Sequence, residues 1–538
     1  VLGRTAVTLP PDAPLLRAPP FPWADASVSG AGPADKAPQD GPGLFALVRE
    51  ARVGGTFWAA PAPSPTPGSW LSRPRGTDDL AAAAGATPCP GELDPWSVLP
   101  GAAGLIAHGD DEWVALARIN TVPVRLLSSG RFGVTRDDDA ALDARAASAL
   151  LAASWRDPFT GSPSTLPQVI ELLALWRRTL DANRAIAAAS GMAWWKRREI
   201  RRFLWHPARR LHMVRRPARA LALAERAGGG LAVWPSRVSP QLTADAQARG
   251  VQLVQVEDGF VRSVGLGVDL VPPSSVVVDF SGIHFDPAHP SDLETTLEQG
   301  PFPAAMQARA ARLRERIVAA GISKYSADTA AHVLPDRQVG RRLVLVPGQV
   351  ADDMSVRAAG GDLLAADNVN EELLRRARAA EPDAEIWFRP HPDVDTGLRR
   401  GAVHDAVALQ HADRVVRGGS MASLLGTVDA VHTLTSLTGF EALLRGLQVT
   451  CHGTPFYAGW GLTCDLGAVP ARRTRRLQLD ELVAGVLILF PRYLDPVTGL
   501  PCPPEVLVDR MTGTRAPGRL DWVAPIRRWQ GRMLAPFR

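Results

Sequence analysis

At 538 residues the chain is too long for one hydrophobic core, so more than one domain is expected. With 46% hydrophobic and 21% charged residues the composition is that of an ordinary globular protein, and a formal charge of +5 is modest for this length. Four cysteines (Cys89, Cys451, Cys464, Cys502) are too few and too scattered for a disulfide framework or a CxxC metal site, which points to thiols in a reducing compartment.

Residues 1–43 are rich in Pro, Ala, Gly and Asp without a sustained period and read as a mobile or loosely packed arm. The opening residues carry no apolar signal core, and no run reaches the length of a membrane span, so a cytoplasmic protein is expected, free or peripheral on the inner membrane. The first core material is GLFALVREARVGGTFWAAP (43–61). AGLIAHGDDEWVALARINTVPVRLL (103–127) reads strand, loop, helix, strand, a nucleotide-fold half of its own, with His108 in a turn before an acidic helix start. Helical sequence dominates 138–226, a basic insertion in a domain expected to span 44–335. Within it, 194–227 interleaves Lys196 and ten arginines with Trp194, Trp195, Phe203, Leu204 and Trp205. Only three lysines occur in the chain, so nearly all its positive charge is arginine. Basic residues beside tryptophan suit an interfacial helix on anionic lipid, and RLDWVAPIRRWQGRMLAPFR (519–538) repeats that chemistry. No zinc-finger or RRM-type signature supports nucleic acid as a partner.

From 231 the periodicity sharpens. LAVWPSR (231–237) and VQLVQVEDG (251–259) read as strands flanking a short helix, SVVVDFSGIHFD (275–286) as another strand, and SDLETTLEQ (291–299) as a helix capped by Ser291 towards Glu294. RRLVLVPGQV (341–350) opens a second α/β series over 336–478, which continues through EELLRRARAAEPDAEIWFRPHPDVDTG (371–397), DAVHTL (429–434), TSLTGFEALLRG (435–446) and QVTCHG (448–453). LDELVAGVLILFPRYLDP (479–496) reads as an amphipathic helix that straps the tail, 479–538, back onto the first domain. Two α/β halves without an alignable repeat predict two Rossmann-like domains facing a cleft, with ligands at the carboxyl ends of the strands.

Three turns fall where that cleft would be. In VEDGF (256–260) a buried strand delivers Glu257 and Asp258 beside Gly259, presenting a carboxylate able to serve as base or nucleophile. In RPHPD (389–393) Pro390 and Pro392 hold His391 in extended backbone next to the permanent charge of Arg389. In TSLTG (435–439) Thr438 and Glu441 stand at capping-box spacing, which makes Thr438 the expected N-cap. Gly439 then lets backbone approach a ligand, and Thr435, Ser436 and the first free amides converge on a phosphate. An acid, a rigid His-Pro turn and a hydroxyl helix start together describe a transferase with a phosphate-activated donor. The lack of a DxD-type signature fits a leaving group neutralised by side chains and a helix dipole, without metal or cofactor.

EDGFVRSVGLG (257–267), PSSVVVDFSGIHFD (273–286), GISKYS (321–326), LVPGQV (345–350), RPHPDVDTGLR (389–399), VHTLTSLTGFEALLRGLQVTCHGTPFYAGWGLT (431–463) and LVAGVLILFPRYLDP (482–496) resemble, in order and spacing, the capsule polysaccharide synthesis/export family of retaining β-Kdo glycosyltransferases. The resemblance covers about 230–500 and implies an α/β, GT-B-like fold with additional helices and one active site. It implies CMP-Kdo as donor substrate and a glycolipid or Kdo-terminated glycan as acceptor, with capsule-assembly proteins as further partners. It puts the nucleophile on Asp258 and phosphate handling on His391 and Pro392. Donor contacts fall on Ser436, with Thr435 and Thr438, and on Arg389, Gly439, Gln349 and Lys324; Glu257, Arg262, Asp286 and Glu441 fall in the cleft or on the acceptor side. Lys324 or Arg262 is the candidate for pairing with the Kdo carboxylate. The chain departs from the family pattern at Ala351, where an acid is expected, at His284 and Phe285, where a tyrosine pair is expected, and at Arg389, where lysine is usual. A transferase for another CMP-ulosonate and a non-catalytic capsule-assembly scaffold are the alternatives.

Overall fold

A computed structural model of the chain describes residues 13–30, 41–262, 271–323 and 334–512. The described chain is mixed α/β with parallel sheets and forms two compact units. The first comprises Val1–Ala185, Leu204–Leu211 and Val497–Cys502; the second comprises Ile186–Phe203, His212–Pro496 and Pro503–Arg538. The boundary near 185 falls inside the stretch expected to be one 44–335 domain.

In the first unit, β1 (Trp70–Ser72), β2 (Thr87–Pro88), β3 (Gly104–His108) and β4 (Val124–Ser128) form a parallel sheet in the order β2-β1-β3-β4. The strand–helix–strand reading of 103–127 holds: Trp113–Ile119 is the helix, and all seven of its residues are buried. The helix Leu166–Arg184 starts where Thr165 and Gln168 satisfy each other's backbone in a capping box. Its Arg177 pairs with Asp94 at 2.6 Å, both buried. The arm expected to be loose is instead core over 13–30: Leu15, Leu16, Phe21 and Val28 are buried, and Arg17 grips Glu112 through both carboxylate oxygens. Its apolar residues are spaced without helical or strand period, so periodicity had nothing to detect.

The insertion expected to be helical over 138–226 is more varied. It contains a two-stranded hairpin, β5 (Trp155–Arg156) with β6 (Pro163–Ser164), and then β7 (Ile186–Ser190) and β8 (His212–Met213). The alanine-rich β7 has helical propensity, but all five of its residues are buried in a sheet, and tertiary pairing overrides propensity. The basic stretch 194–227 is accordingly not one helix but the short Arg197–Phe203 and the separate Pro217–Arg226.

The remaining strands are β9 (Gly230–Val233), β10 (Leu253–Asp258), β11 (Ser275–Asp279), β12 (Leu343–Pro347), β13 (Glu385–Arg389), β14 (Arg414–Val415), β15 (Ala430–Thr433), β16 (Gln448–Cys451), β17 (Cys464–Asp465) and β18 (Arg492–Leu494). One sheet of the second unit runs β18-β11-β10-β9-β7-β8, parallel from β10 through β9 and β7 to β8, with β11 antiparallel to β10 and to β18. The other runs β14-β13-β12-β15-β16-β17, parallel throughout, which is the 3-2-1-4-5-6 order of a doubly wound sheet. Its central strands are continuous apolar runs because helices cover both faces; Leu373, Leu374 and Ala377 of Val369–Ala380 pack onto Val344, Ile386 and Phe388. The expected amphipathic helix at 479–496 is helical only to Leu489, its second half as a π-helix, and then becomes β18, paired antiparallel with β11 in the first sheet. Among the described residues no helix is long and apolar enough to cross a membrane.

Between these sheets lie charged and aromatic contacts. Glu294 receives both Arg472 and Arg473, and Glu298 accepts from Thr474 and from the backbone of Arg475. Phe260 lies 4.7 Å from Phe456 and 6.3 Å from Phe440 between ring centroids.

Inside the doubly wound sheet, His432 of β15 and His452 just past β16 touch through Nδ1 and Nε2 at 3.1 Å, both 2% exposed. Burial pushes each imidazole down to about 4. The unfolded chain therefore takes up protons before the folded one, so this contribution is complete above about pH 6.5 and is lost as pH falls towards 4. Thermal melts from pH 7 to pH 5 should show a falling midpoint, on the order of a few kcal/mol of stability across the pair, and replacing both histidines by glutamine should flatten that dependence.

Candidate active site

Because β7, β9 and β10 are parallel, their carboxyl ends deliver three loops to one edge of the first sheet. The loop after β7 carries Lys196, the residue after β9 is Trp234, and β10 itself ends in Glu257 and Asp258. Lys196 Nζ donates to both Asp258 oxygens, at 2.9 and 3.0 Å. Arg262 Nε stands 2.8 Å from Asp258 Oδ2, and the whole arginine is buried. Arg262, expected as a cleft cation, thus serves the acid four residues before it. Glu257 turns back and accepts the Asp258 amide through Oε1 at 2.9 Å. The lysine ammonium sits 3.7 Å over the Trp234 ring and 5.0 Å from that of Trp195. Burial pushes its pKa below the usual lysine value, against the pull of Asp258 and Glu257. Gly259 follows for a packing reason: a Cβ there would overlap Ser275, whose carbonyl accepts the Gly259 amide at 3.0 Å.

The second sheet changes direction between β12 and β15, the switch point at which such folds bind ligands. Gln349, two residues past β12, is buried there and bridges to the other strand's loop. Its Nε2 donates to Thr435 Oγ1 at 2.8 Å, and its Oε1 accepts the Thr435 amide at 2.9 Å. Asn370 fixes the Gln349 backbone by bonds to its amide and carbonyl, both 2.8 Å. The helix that follows is Leu437–Leu443, and its N-cap is Ser436, which accepts from the Thr438 amide at 3.2 Å. Thr438, expected as the cap, is the second residue of the helix and accepts from the Ser436 hydroxyl through Oγ1 at 3.1 Å. Spacing to Glu441 alone pointed to the wrong hydroxyl, since extended backbone at Ser436 (φ −63°, ψ 140°) sets the true start. Gly439 also differs from expectation. A Cβ there would overlap the Tyr457 hydroxyl, which donates to the Ser436 carbonyl at 2.5 Å, so a protein side chain fills that approach. Glu441 is buried on the same helix, and its carbonyl accepts from Arg445.

At the carboxyl end of β13, Arg389 spends its guanidinium on the carbonyls of Val416, Gly418 and Gly419 (2.8–3.1 Å), stapling the loop after β14. His391 caps the short turn Pro392–Asp395 with Pro392 at its first position, and its Nδ1 accepts the Asp393 amide at 3.2 Å. A neutral His391 therefore carries its proton on Nε2. Gly348, Asn370, Phe388, Pro390, His391 and Val394 line a pocket here, so the loops after β12 and β13 meet. Asp286 caps its own turn through the Ala288 amide, beside His289 at 3.2 Å. Lys324 and the basic tail 519–538 fall outside the described residues. Among the described residues no group of three His, Cys, Asp or Glu side chains is placed to hold a metal.

The family described as "Capsule polysaccharide biosynthesis protein" matches residues 230–493, from β9 to β18. The chain belongs to this family. It is 38% identical over 353 residues to the capsule polysaccharide modification protein LipA of Neisseria meningitidis serogroup A, which covers 66% of this chain and 49% of LipA. To the lipopolysaccharide-processing protein LpsZ of Rhizobium meliloti it is 44% identical over 247 residues, 45% of this chain and 54% of LpsZ. The chain thus spans about half the length of these relatives. Among solved structures it is similar to Thermosulfurimonas dismutans KpsC, described as a beta Kdo 2,4 transferase, at 31% identity and TM-score 0.53 over 61% of this chain and 98% of that one. Lys196 precedes the matched family region, and the basic run around it hid a lysine that turns inward.

Replacing Gln349 by leucine strands the buried Thr435 amide and hydroxyl, and should cost about 1–3 kcal/mol, read as a lower denaturant midpoint at unchanged m-value.

Proposed function

We propose that the chain is a retaining glycosyltransferase with a GT-B-like pair of Rossmann-like sheets. In this reading it moves Kdo from CMP-Kdo to a lipid-linked or Kdo-terminated glycan in capsule or surface-polysaccharide assembly. The observation that carries the reading is Asp258, a carboxylate held at the carboxyl edge of one sheet by two cations. It acts together with the histidine and hydroxyls at the corresponding edge of the other sheet. Membership of the capsule polysaccharide family and the likeness to a Kdo transferase support the sugar and its setting.

In the first step an Asp258 oxygen attacks the anomeric carbon of Kdo, and the bond from that carbon to the CMP phosphate oxygen breaks with its electron pair on the phosphate. His391, protonated on Nε2, donates to that phosphate, and Ser436, Thr435 and Thr438 surround it at the helix start, so the developing charge is met by fixed donors. In the second step an acceptor hydroxyl oxygen attacks the same carbon from the opposite face, the bond to Asp258 breaks, and the hydroxyl proton leaves to solvent. Two inversions give net retention.

The acceptor side is the first sheet. Beside Lys196, Trp194 is exposed, as are Arg198, Arg201 and Arg215, and Arg201 and Arg215 are close enough to Arg197 to lower its pKa after burial has done so. Exposed arginines next to an exposed tryptophan suit the anionic cytoplasmic face of the inner membrane, where a lipid-linked acceptor would be presented.

Incubation with CMP-Kdo should raise the intact mass by one Kdo residue, with the label on Asp258 and none in Asp258→Ala. His391→Ala should slow labelling by about 100-fold or more. Labelling by CMP-sialic acid in place of CMP-Kdo would reassign the sugar, and an adduct on Asp258→Ala would overturn the nucleophile.

A further inference from the structure

Lys196 holds the proposed nucleophile in a form unsuited to attack. Its ammonium engages both Asp258 oxygens at 2.9 and 3.0 Å, so the lone pairs that would reach the anomeric carbon are already donated to. Only 7% of Lys196 is exposed, and Trp234 and Trp195 wall it, so solvent does little to loosen the pair. Arg262, fully buried at 2.8 Å from Oδ2, stays with Asp258 whatever the lysine does, and Glu257 adds a second negative charge to the lysine's surroundings. Freeing the carboxylate therefore needs another anion placed within a few ångströms of the ammonium.

The donor of the proposed reaction carries such an anion one bond from the atom to be attacked. When an Asp258 oxygen lies about 3–3.5 Å from the anomeric carbon, a carboxylate on that carbon comes within reach of the ammonium. We propose that Lys196 reads the acid group of the donor: its ammonium passes from Asp258 to the carboxylate on the anomeric carbon, and the nucleophile is freed only for a 2-keto sugar acid. The exchange swaps one ion pair for another, breaks no covalent bond and leaves the ammonium with its three protons. A neutral sugar offers no anion at that position and leaves Asp258 clamped. The inference rests on the glycosyltransferase reading, and it moves the expected carboxylate contact from Lys324 or Arg262 to a residue outside the family match.

Equilibrium binding of CMP and of CMP-Kdo to the wild type, Lys196→Gln and Lys196→Arg separates this role from a structural one. CMP lacks the carboxylate and should bind all three proteins within about 2-fold. CMP-Kdo should bind Lys196→Gln some 10- to 100-fold more weakly, the worth of a charged hydrogen bond, and Lys196→Arg nearly as well as the wild type. In turnover, the loss in Lys196→Gln should appear in both KM and kcat, with arginine restoring most of KM. A second measurement needs no variant: the C1 amide of CMP-Kdo should bind the wild type without labelling Asp258. Undiminished CMP-Kdo binding by Lys196→Gln, or labelling of the wild type by the amide, overturns the proposal while leaving the glycosyltransferase reading intact. Failure of the wild type itself to bind or be labelled by CMP-Kdo overturns both.

Discussion

A carboxylate at the end of a partly buried strand is stable as an anion only if something replaces the water it has lost. At Asp258 that replacement is a pair of cations, Lys196 and Arg262, and the surrounding structure is arranged to bring them there. β7 must enter the sheet beside β9 so that its loop returns at the same edge as β10. Trp234 must follow β9 to give the ammonium a face to rest on. Removing either cation would leave a poorly solvated charge, which is more costly than the pair's own contribution is favourable.

The second sheet meets the same requirement with neutral groups. At its switch point the gap between β12 and β15 is bridged by Gln349, which satisfies the amide and hydroxyl of Thr435 together. That bridge holds the start of Leu437–Leu443 in place, with Ser436 as its cap and Tyr457 pinned to the Ser436 carbonyl. Arg389 does similar work one strand over by donating to three carbonyls of the loop after β14. Gln349 and Arg389, which resemble ligand contacts by type, are here spent on shaping the loops around the pocket that His391 lines.

The two edges are coupled through the residues that immediately follow them. Phe260, two positions after Asp258, packs against Phe456 of the aromatic loop and lies near Phe440 on the hydroxyl-capped helix. Farther along, Glu294 is held by Arg472 and Arg473, and the segment after Leu479 returns to the first sheet as β18. A displacement of the helix start relative to Asp258 would therefore have to repack an aromatic cluster.

The chain by itself determined the α/β character, most strands from 231 onward, the Ser291 cap, and the three turns that carry Asp258, His391 and Ser436, because each is written in local periodicity or turn chemistry. It also determined the family, through motifs that keep their order and spacing. Tertiary structure alone decided the rest. β7 is a strand because its neighbours pair with it, although alanine favours helix. Ser436 caps its helix because of the backbone geometry there, which capping-box spacing does not encode. Residues 13–30 are core because the first unit closes over an aperiodic segment. Lys196 lay unseen among arginines, 62 positions from its partner, and became part of the site only when two parallel strands ended side by side. Local sequence fixes what a residue is able to do; which groups share a few ångströms of poorly hydrated space is decided by strand order, and that is where the pairing of charges is settled.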